Sequence, residues 1–442
     1  LRALDEFISN SMKHFYIPGV AVGIWHDGKE YTNGYGVTNV EHPQPVDGDT
    51  LFQIGSTTKT FTGTLALRLA EMGKLDLDTP IRTYLPDLKL RDESVASRVT
   101  LRHCFTHTSG WAGDYFDDFG MGDDALARYV AAIADLPQQT PLGTLWSYNN
   151  SGFALAGRVI EIVTGKTYEE ALKELLLDPL GLKMTFIFPQ DVMTYNFAVG
   201  HNVIDSKPVV AREWALARAA NPVGSIVSSA KDQLKYARFH LSDGSPLLKP
   251  ESIRAMQTVQ TNGALDDKFG ITWFIRDING VRTFQHGGAT NGQLSAFLFI
   301  PERNFALTIL TNANRGGELH RQVASYILKE FLGIASGETK IVETTPAQLQ
   351  EYVGRYNAQL ADTEMVIKDN SLVMSQTPKG GFPKKDSPPG PTPPPSRLAF
   401  IGKDRVLALD EPFKDTQGEF LRNDDGKIAW FRFGGRIRQR MN

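Results

Sequence analysis

Residues 52 to 61 read FQIGSTTKTF. A β-rich run ends near Ile54 and a run with helical period starts at Thr57, so the segment is a strand-to-helix junction with Ser56 at its corner and Lys59 three residues on. Positions i and i+3 share a helix face, and a helix beginning at the serine brings the two side chains within hydrogen-bonding reach. Serine alone is a poor nucleophile, but a lysine kept neutral by burial can take its proton. The unpaired N–H groups of the helix start can hold an oxyanion that forms beside Ser56. Spacing by itself is ambiguous, because Ser228 to Lys231 repeats it. There Ser229 and Asp232 form a capping pattern ahead of an amphipathic run, which predicts a helix start with Ser228 and Lys231 at the surface.

The surrounding chain says what kind of fold holds this corner. Leu4, Phe7, Ile8, Met12 and Phe15 recur with helical period, and two β-rich runs follow about the Asp27-Gly28 turn. Helical period is expected again from Thr57 to Gly73, roughly from Asp123 to Ala134, and from Ser151 to Thr164. GVRTFQHGG, QLSAFLFIP and FALTILTN then read as three strands, followed by the amphipathic run ELHRQVASYILKEFLG. Strands at both ends with helices between them predict an α+β domain whose one antiparallel sheet is closed by remote segments and carries a helical insertion, over residues 1–335. From 336 to 442 short alternating runs at close spacing predict a small all-β barrel. Within it residues 378–396, PKGGFPKKDSPPGPTPPPS, are too rich in proline for ladder or helix. They are expected to form an extended surface loop, with tolerated insertion favoured over an arm that rims a site or reaches a neighbour.

Composition removes several classes of function. The chain has 442 residues, 41% of them hydrophobic, and a formal net charge of −3. It lacks the basic field that draws phosphate backbones or anionic lipid, so nucleic acid is not an expected partner. No apolar run is long enough for a bilayer span. Cys104, alone of its kind, excludes an internal disulfide and a zinc-thiolate cluster. The opening residue Leu1 fits a removed leader or an internal start, leaving cytoplasm and export both open.

Two further groups keep Ser56 company. GTLWSYNNSGFALAG puts Tyr148 and Asn150 in a loop before a helix, where a phenol can relay a proton and an amide can orient a carbonyl or the lysine. Tyr31 to Asn33 repeats that triplet beside an expected Asn33-Gly34 turn. QHGGATNG ends a predicted strand with His286, Gly287 and Gly288; the glycines let substrate lie against the strand edge, and the N–H of Ala289 is placed to complete an oxyanion hole with that of Ser56. The competing reading of this last segment is a glycine-bearing bulge.

Ser-x-x-Lys, Tyr-x-Asn and His-Gly-Gly in this order, with roughly 90 and 140 residues between them, resemble the serine β-lactamase and penicillin-binding-protein superfamily. The Tyr-x-Asn form is similar to the class C branch and its peptidase and esterase relatives, and a barrel after the hydrolase region is similar to peptidases of that branch with a lipocalin-like tail. CFTHTSGW, DPLGLKMT and NPVGSIVSSAKD fall in the family's order. The resemblance implies Ser56 as acylated nucleophile, Lys59 and Tyr148 as the proton-transfer pair, Asn150 as a substrate-positioning group and His286 to Gly288 as the third motif. It implies no cofactor and no metal, and as substrates small peptides or amides, D-residue ones among the candidates, or carboxylic esters; the barrel is open to gating the cleft, recognising substrate or building a homo-oligomer. The chain departs from the lactamase pattern where His286 replaces a lysine. Histidine is mostly neutral at pH 7, which argues against substrates with an obligatory carboxylate. The expected activity is therefore peptidase, amidase or esterase, with a class C-type β-lactamase or a penicillin-binding module that acylates without turnover as the alternatives.

Other chemistry fits less well. No serine has glycine two residues away on both sides, which removes the α/β-hydrolase elbow. His103 and His107 have zinc spacing without further ligands and are expected to be helix-packing side chains. Gly165-Lys166-Thr167 lacks the first glycine of a phosphate loop and reads as a helix end.

Overall fold

A computed structural model of the chain describes every residue except Ser245, Ser336, Glu338 and Asn442. Helix α1 (Arg2–Phe15) buries Leu4, Ile8, Met12 and Phe15, the stripe its period requires, and stops at Tyr16 in the left-handed conformation. Strands β1 (Gly19–His26) and β2 (Lys29–Gly36) follow as a hairpin. Asp27 and Gly28 both take positive φ at its tip, the geometry that matches strand twist. Tyr31 and Asn33 lie within β2 rather than at a turn, and both reach Asp5 of α1. The second Tyr-x-Asn is thus a strand-to-helix tie.

The sheet is completed by chain from beyond residue 260. Its remaining strands are β3 (Thr261–Asn262), β4 (Lys268–Phe269), β5 (Phe274–Ile278), β6 (Val281–Ala289), β7 (Leu294–Ile300) and β8 (Phe305–Thr311). The order is β2-β1-β8-β7-β6-β5-β4-β3, with every neighbouring pair antiparallel. β1 is buried along most of its length because helices cover both faces of the sheet. On one face Val20, Val22, Leu307 and Ile309 meet α1 and α5 (Gly316–Leu332). On the other, Ala21, Phe297, Phe299 and Leu310 join the core that contains α2 (Thr58–Glu71), α3 (Ser151–Thr164) and α4 (Ala230–Leu241).

Helix α2 runs through the middle of that core and is buried on all sides for most of its length. Its threonines are compatible with this because their hydroxyls find acceptors: Thr60 and Thr64 donate one turn back at 2.8 Å, and Thr62 donates to the carbonyl of Pro222 at 2.7 Å.

The end of the chain closes an eight-stranded antiparallel barrel: β9 (Gly354–Asn357), β10 (Ala361–Lys368), β11 (Ser371–Pro378), β12 (Ser396–Gly402), β13 (Arg405–Ala408), β14 (Gln417–Arg422), β15 (Ile428–Phe433) and β16 (Arg436–Arg440). Tyr356, Met365, Met374, Phe400, Phe420 and Phe431 belong to its own core, as expected for a lipocalin-like barrel. Among the described residues no helix is long and apolar enough to cross a membrane.

The barrel docks on the α+β part through its last hairpin. Gly434 and Gly435 both have positive φ between β15 and β16. The Tyr148 N–H donates to the Gly435 carbonyl at 2.9 Å, and the Ile437 N–H donates to Ser147 Oγ at 3.2 Å. Further out, Arg405 pairs with Asp266 at 2.8 Å and the Leu265 N–H donates to Glu419 at 2.7 Å.

Candidate active site

Ser56 occupies a single 3-10 turn, Gly55–Thr57, that feeds directly into α2. The short strand Phe52–Gln53 leads into it, and the Ile54 N–H is tied to the Ile226 carbonyl at 2.9 Å. Buried hydroxyls hold the turn against the main sheet: Ser295 Oγ donates to the Ile54 carbonyl at 2.7 Å and lies 2.9 Å from Thr57 Oγ1. Gly55, at φ 52°, sits so close to β6 that a Cβ on it would fall 2.4 Å from Ala289 N. A Cβ on Gly288 would fall 1.8 Å from the Ile54 carbonyl oxygen and 2.7 Å from Ser56 N. Glycine at both positions is what allows the Ser56 turn and the strand edge to touch.

Lys59 is fully buried. Its Nζ lies 3.0 Å from Ser56 Oγ and donates to the Val223 carbonyl at 2.8 Å. Burial is the main force pushing its pKa well below the ordinary lysine value; the charge of Arg436 pushes the same way, and Asp114 pushes weakly back. The neutral amine is the form this environment favours.

Tyr148 closes the third side. Its ring lies 5.0 Å from Lys59 Nζ, and its buried hydroxyl makes no well-formed hydrogen bond to a protein group. Ser56 is nonetheless near enough to draw the phenol pKa down; burial outweighs that pull and raises it. The phenol therefore stays protonated at neutral pH. Asn150, at the start of α3, donates through Nδ2 to Asp114 Oδ1 at 2.7 Å.

His286 is buried in β6 with its Nδ1 2.6 Å from the Gly287 carbonyl and its Nε2 unpartnered. Burial and the neighbouring Lys59 hold its pKa down at about 3. The imidazole is neutral across the physiological range, so a role as a permanent cation in place of lysine is closed to it.

Every candidate of the three motifs faces one cavity of about 1080 Å³: Ser56, Tyr148, Asn150, His286 and Gly287 to Ala289 line it, with Lys59 behind Ser56. Sequence reasoning missed its other wall. Leu360, Phe382, Gln417 and Gly434 to Arg436 come from the barrel, and the proline-rich segment expected to be a tolerated surface insertion rims the site through Phe382. Arg436 places its guanidinium 4.7 Å from the Tyr148 ring centre and grips Asp114 with Nε at 3.0 Å and Nη2 at 3.3 Å, while Nη1 donates to the Gly434 carbonyl at 3.1 Å. Asp114 thus bridges Arg436 and Asn150. Two glycines between β-like runs announced this hairpin, but nothing local announced where its tip would go.

The decoys separate cleanly. Ser229 caps α4 by accepting from the Asp232 N–H at 3.2 Å, and Lys231 pairs with Asp49. Ser228 is buried, against expectation, because it sits in a short strand and its hydroxyl meets that of Thr185 at 2.9 Å. His103 and His107 do not share a helix face. His103 completes a capping box with Thr100, whereas His107 lies past the helix end at φ 56° and stacks on Tyr148 at 4.3 Å. Among the described residues no three His, Cys, Asp or Glu side chains are grouped to hold a metal ion.

A sequence profile described as Beta-lactamase matches residues 4–330, well over half of the chain. The chain belongs to the β-lactamase family. It is 33% identical to penicillin-binding protein 4 of Amycolatopsis lactamdurans over 358 residues, covering 77% of this chain and 93% of that one. It is 28% identical to a β-lactamase of Providencia stuartii, covering 70% and 86%. In fold it is similar to SurE solved with D-Leu, with a TM-score of 0.77 at 22% identity over 100% of this chain and 99% of that one. That likeness takes in the barrel, which the family profile does not reach. The shared family makes this chain a serine hydrolase of the β-lactamase and penicillin-binding-protein type.

Proposed function

We propose that the chain hydrolyses small peptides or amides, including ones with a D-residue, or carboxylic esters, through an acyl-enzyme on Ser56. The observation that carries this reading is the buried Lys59 amine 3.0 Å from Ser56 Oγ. As a neutral amine it takes the Ser56 proton while Oγ attacks the substrate carbonyl. Burial pushes Lys59 and Tyr148 in opposite directions, leaving one a free base and the other an intact acid. Lys59 is accordingly the acceptor, and the Tyr148 hydroxyl passes a proton to the leaving group. The N–H groups of Ser56 and Ala289 stabilise the oxyanion, and Asn150, held by Asp114, orients the acyl group. Lys59 then hands the Ser56 proton to Tyr148, a water gives Lys59 a proton as it attacks the acyl carbonyl, and that proton returns to Ser56 Oγ as the acid leaves. The complex of SurE with D-Leu, in a protein of the same fold, supports the inclusion of D-residues.

The site's charges favour peptides and esters over β-lactams. His286 is neutral, and both arginines that line the cavity are already engaged, Arg436 with Asp114 and Arg276 with Asp267. Neither is free to clamp an obligatory carboxylate. The test is a panel of D- and L-aminoacyl anilides, short p-nitrophenyl esters and nitrocefin with the wild type and Ser56→Ala. Steady turnover of anilides or esters that vanishes in Ser56→Ala is the expected result. Faster turnover of nitrocefin would make it a β-lactamase; one-to-one labelling by a fluorescent penicillin without turnover would make it a penicillin-binding module.

A further inference from the structure

The barrel side of the cavity carries two large apolar side chains, Leu360 and Phe382, beside the polar Asp415, Gln417 and Arg436. Phe382, on the proline-rich segment after β11, remains 38% exposed, and its ring meets Phe116 edge-on at 5.1 Å between centroids. Leu360 lies beside them: the Lys379 N–H donates to its carbonyl at 2.9 Å, and a Cβ on Gly381 would fall 3.4 Å from its side chain. Polar groups of the same segments tie them together. Lys385 reaches Asp117 at 3.4 Å, and the Asp114 N–H donates to Gln359 at 2.9 Å. From the catalytic side Leu216 packs on Gly224, which abuts Gly55 next to the nucleophile. A pocket with apolar walls and a few convergent polar groups at one end is what a site for an acyl chain requires.

We propose that Phe382 and Leu360 of the barrel, with Phe116 and Leu216, form the subsite for an apolar side chain or alkyl group on the substrate's acyl moiety, so that a barrel loop sets acyl selectivity. This rests on Ser56 being the acylated residue. Prolines from 388 to 395 restrict the backbone behind Phe382, which keeps the ring presented without a large entropy loss on binding.

The experiment uses the full chain and a series of p-nitrophenyl esters from acetate to hexanoate, together with p-nitrophenyl methyl- and hexylphosphonates read by mass on Ser56. In the wild type kcat/KM should climb by up to about fourfold per methylene until the subsite is filled. Phe382→Ala should cut the hexanoate-to-acetate ratio, and the hexyl-to-methyl labelling ratio, by at least about tenfold, and Phe382→Leu should restore most of both. Phe116→Ala, whose ring contacts Phe382, should lower the same ratios. An equal loss on short and long chains, or unchanged ratios in both alanine variants, overturns the subsite. Failure of either phosphonate to label Ser56 at all would instead remove the acyl-enzyme reading on which it stands.

Discussion

The two walls of the cavity are built by different rules. On one side Ser56 and Lys59 come from a single turn, three residues apart, and the helix that carries them enforces their contact. On the other, Arg436 reaches Asp114 across 322 residues, and the contact exists only because a barrel docks there. The Ser56–Lys59 contact is thus held by a local element and the Asp114 grip by a tertiary one. The first contact should survive a change in the barrel's fit, although the Lys59 pKa feels Arg436, and the second depends on that fit wholly.

Replacing Ser56 tests the local wall with the largest expected effect. If Ser56 is the nucleophile proposed above, Ser56→Ala should lower kcat/KM on a p-nitrophenyl ester by more than about 10³-fold, because a nucleophile and its base act as a unit. Ser228→Ala, in the capped decoy, should leave it within about twofold, since its hydroxyl meets Thr185 and the Ser229 carbonyl and does not line the cavity. A comparable loss in both would mean that the Ser-x-x-Lys corner is not special. The seam between turn and strand comes next. Gly288→Ala would set a methyl group 1.8 Å from the Ile54 carbonyl and force the turn off β6, with an expected loss of about 10²-fold or more in kcat. At Gly287 the nearest atom to an added Cβ is the Ser295 carbonyl oxygen at 3.3 Å, so Gly287→Ala should cost much less. Equal effects at the two glycines would show that close approach is not what position 288 provides.

The same contrast explains what could be read from the chain. Ser56, Lys59, Tyr148, Asn150 and His286 were legible because each motif sits at the end of an element whose period is visible in a few residues around it. The closed sheet and the barrel were legible for the same reason. The three short strands β3, β4 and β5 were not, because runs of two to five residues carry almost no period. Asp114, Arg436 and Phe382 were hidden for a different cause. Arginine after a glycine turn and phenylalanine in a proline-rich loop are ordinary surface patterns, and only docking turns them toward Tyr148 and Phe116. His286 lies in the strand that the sequence predicts and lines the cavity, but its charge state depends on burial that no local pattern records.

Arg436 probes the tertiary wall. Arg436→Met keeps much of the bulk over the Tyr148 ring and removes the grip on Asp114, which in turn orients Asn150. Misplacing such a positioning group should lower kcat by about tenfold to 10²-fold while Ser56 remains open to slow labelling by a phosphonate. Removing Arg436 also removes one of the forces that hold the Lys59 pKa down, so the acid limb of the rate profile should move to higher pH. A variant with unchanged kcat and an unmoved limb would make the barrel a cover and nothing more.

The smallest expected effect is an absence, and it separates binding from stability. Because burial and Lys59 hold His286 at about 3, its protonation does not change between about pH 5 and 8, and KM for an uncharged ester should be flat across that range. A KM that rises as pH passes 6.5 would restore an imidazolium role. Stability should behave differently. His240, His286 and His320 are each held near 3 by burial, whereas in the unfolded chain they titrate near the ordinary histidine value of about 6.5. Below that value the unfolded chain binds protons that the folded one refuses, so the free energy of unfolding falls steadily as pH drops from about 6.5 towards 3. A urea titration at intervals through that window should show the midpoint retreating, and His320→Asn, in α5 with its Nε2 3.1 Å from Thr311 Oγ1 of β8, should blunt the retreat. The catalytic corner would then keep its affinity over a pH span in which the fold around it is already losing stability.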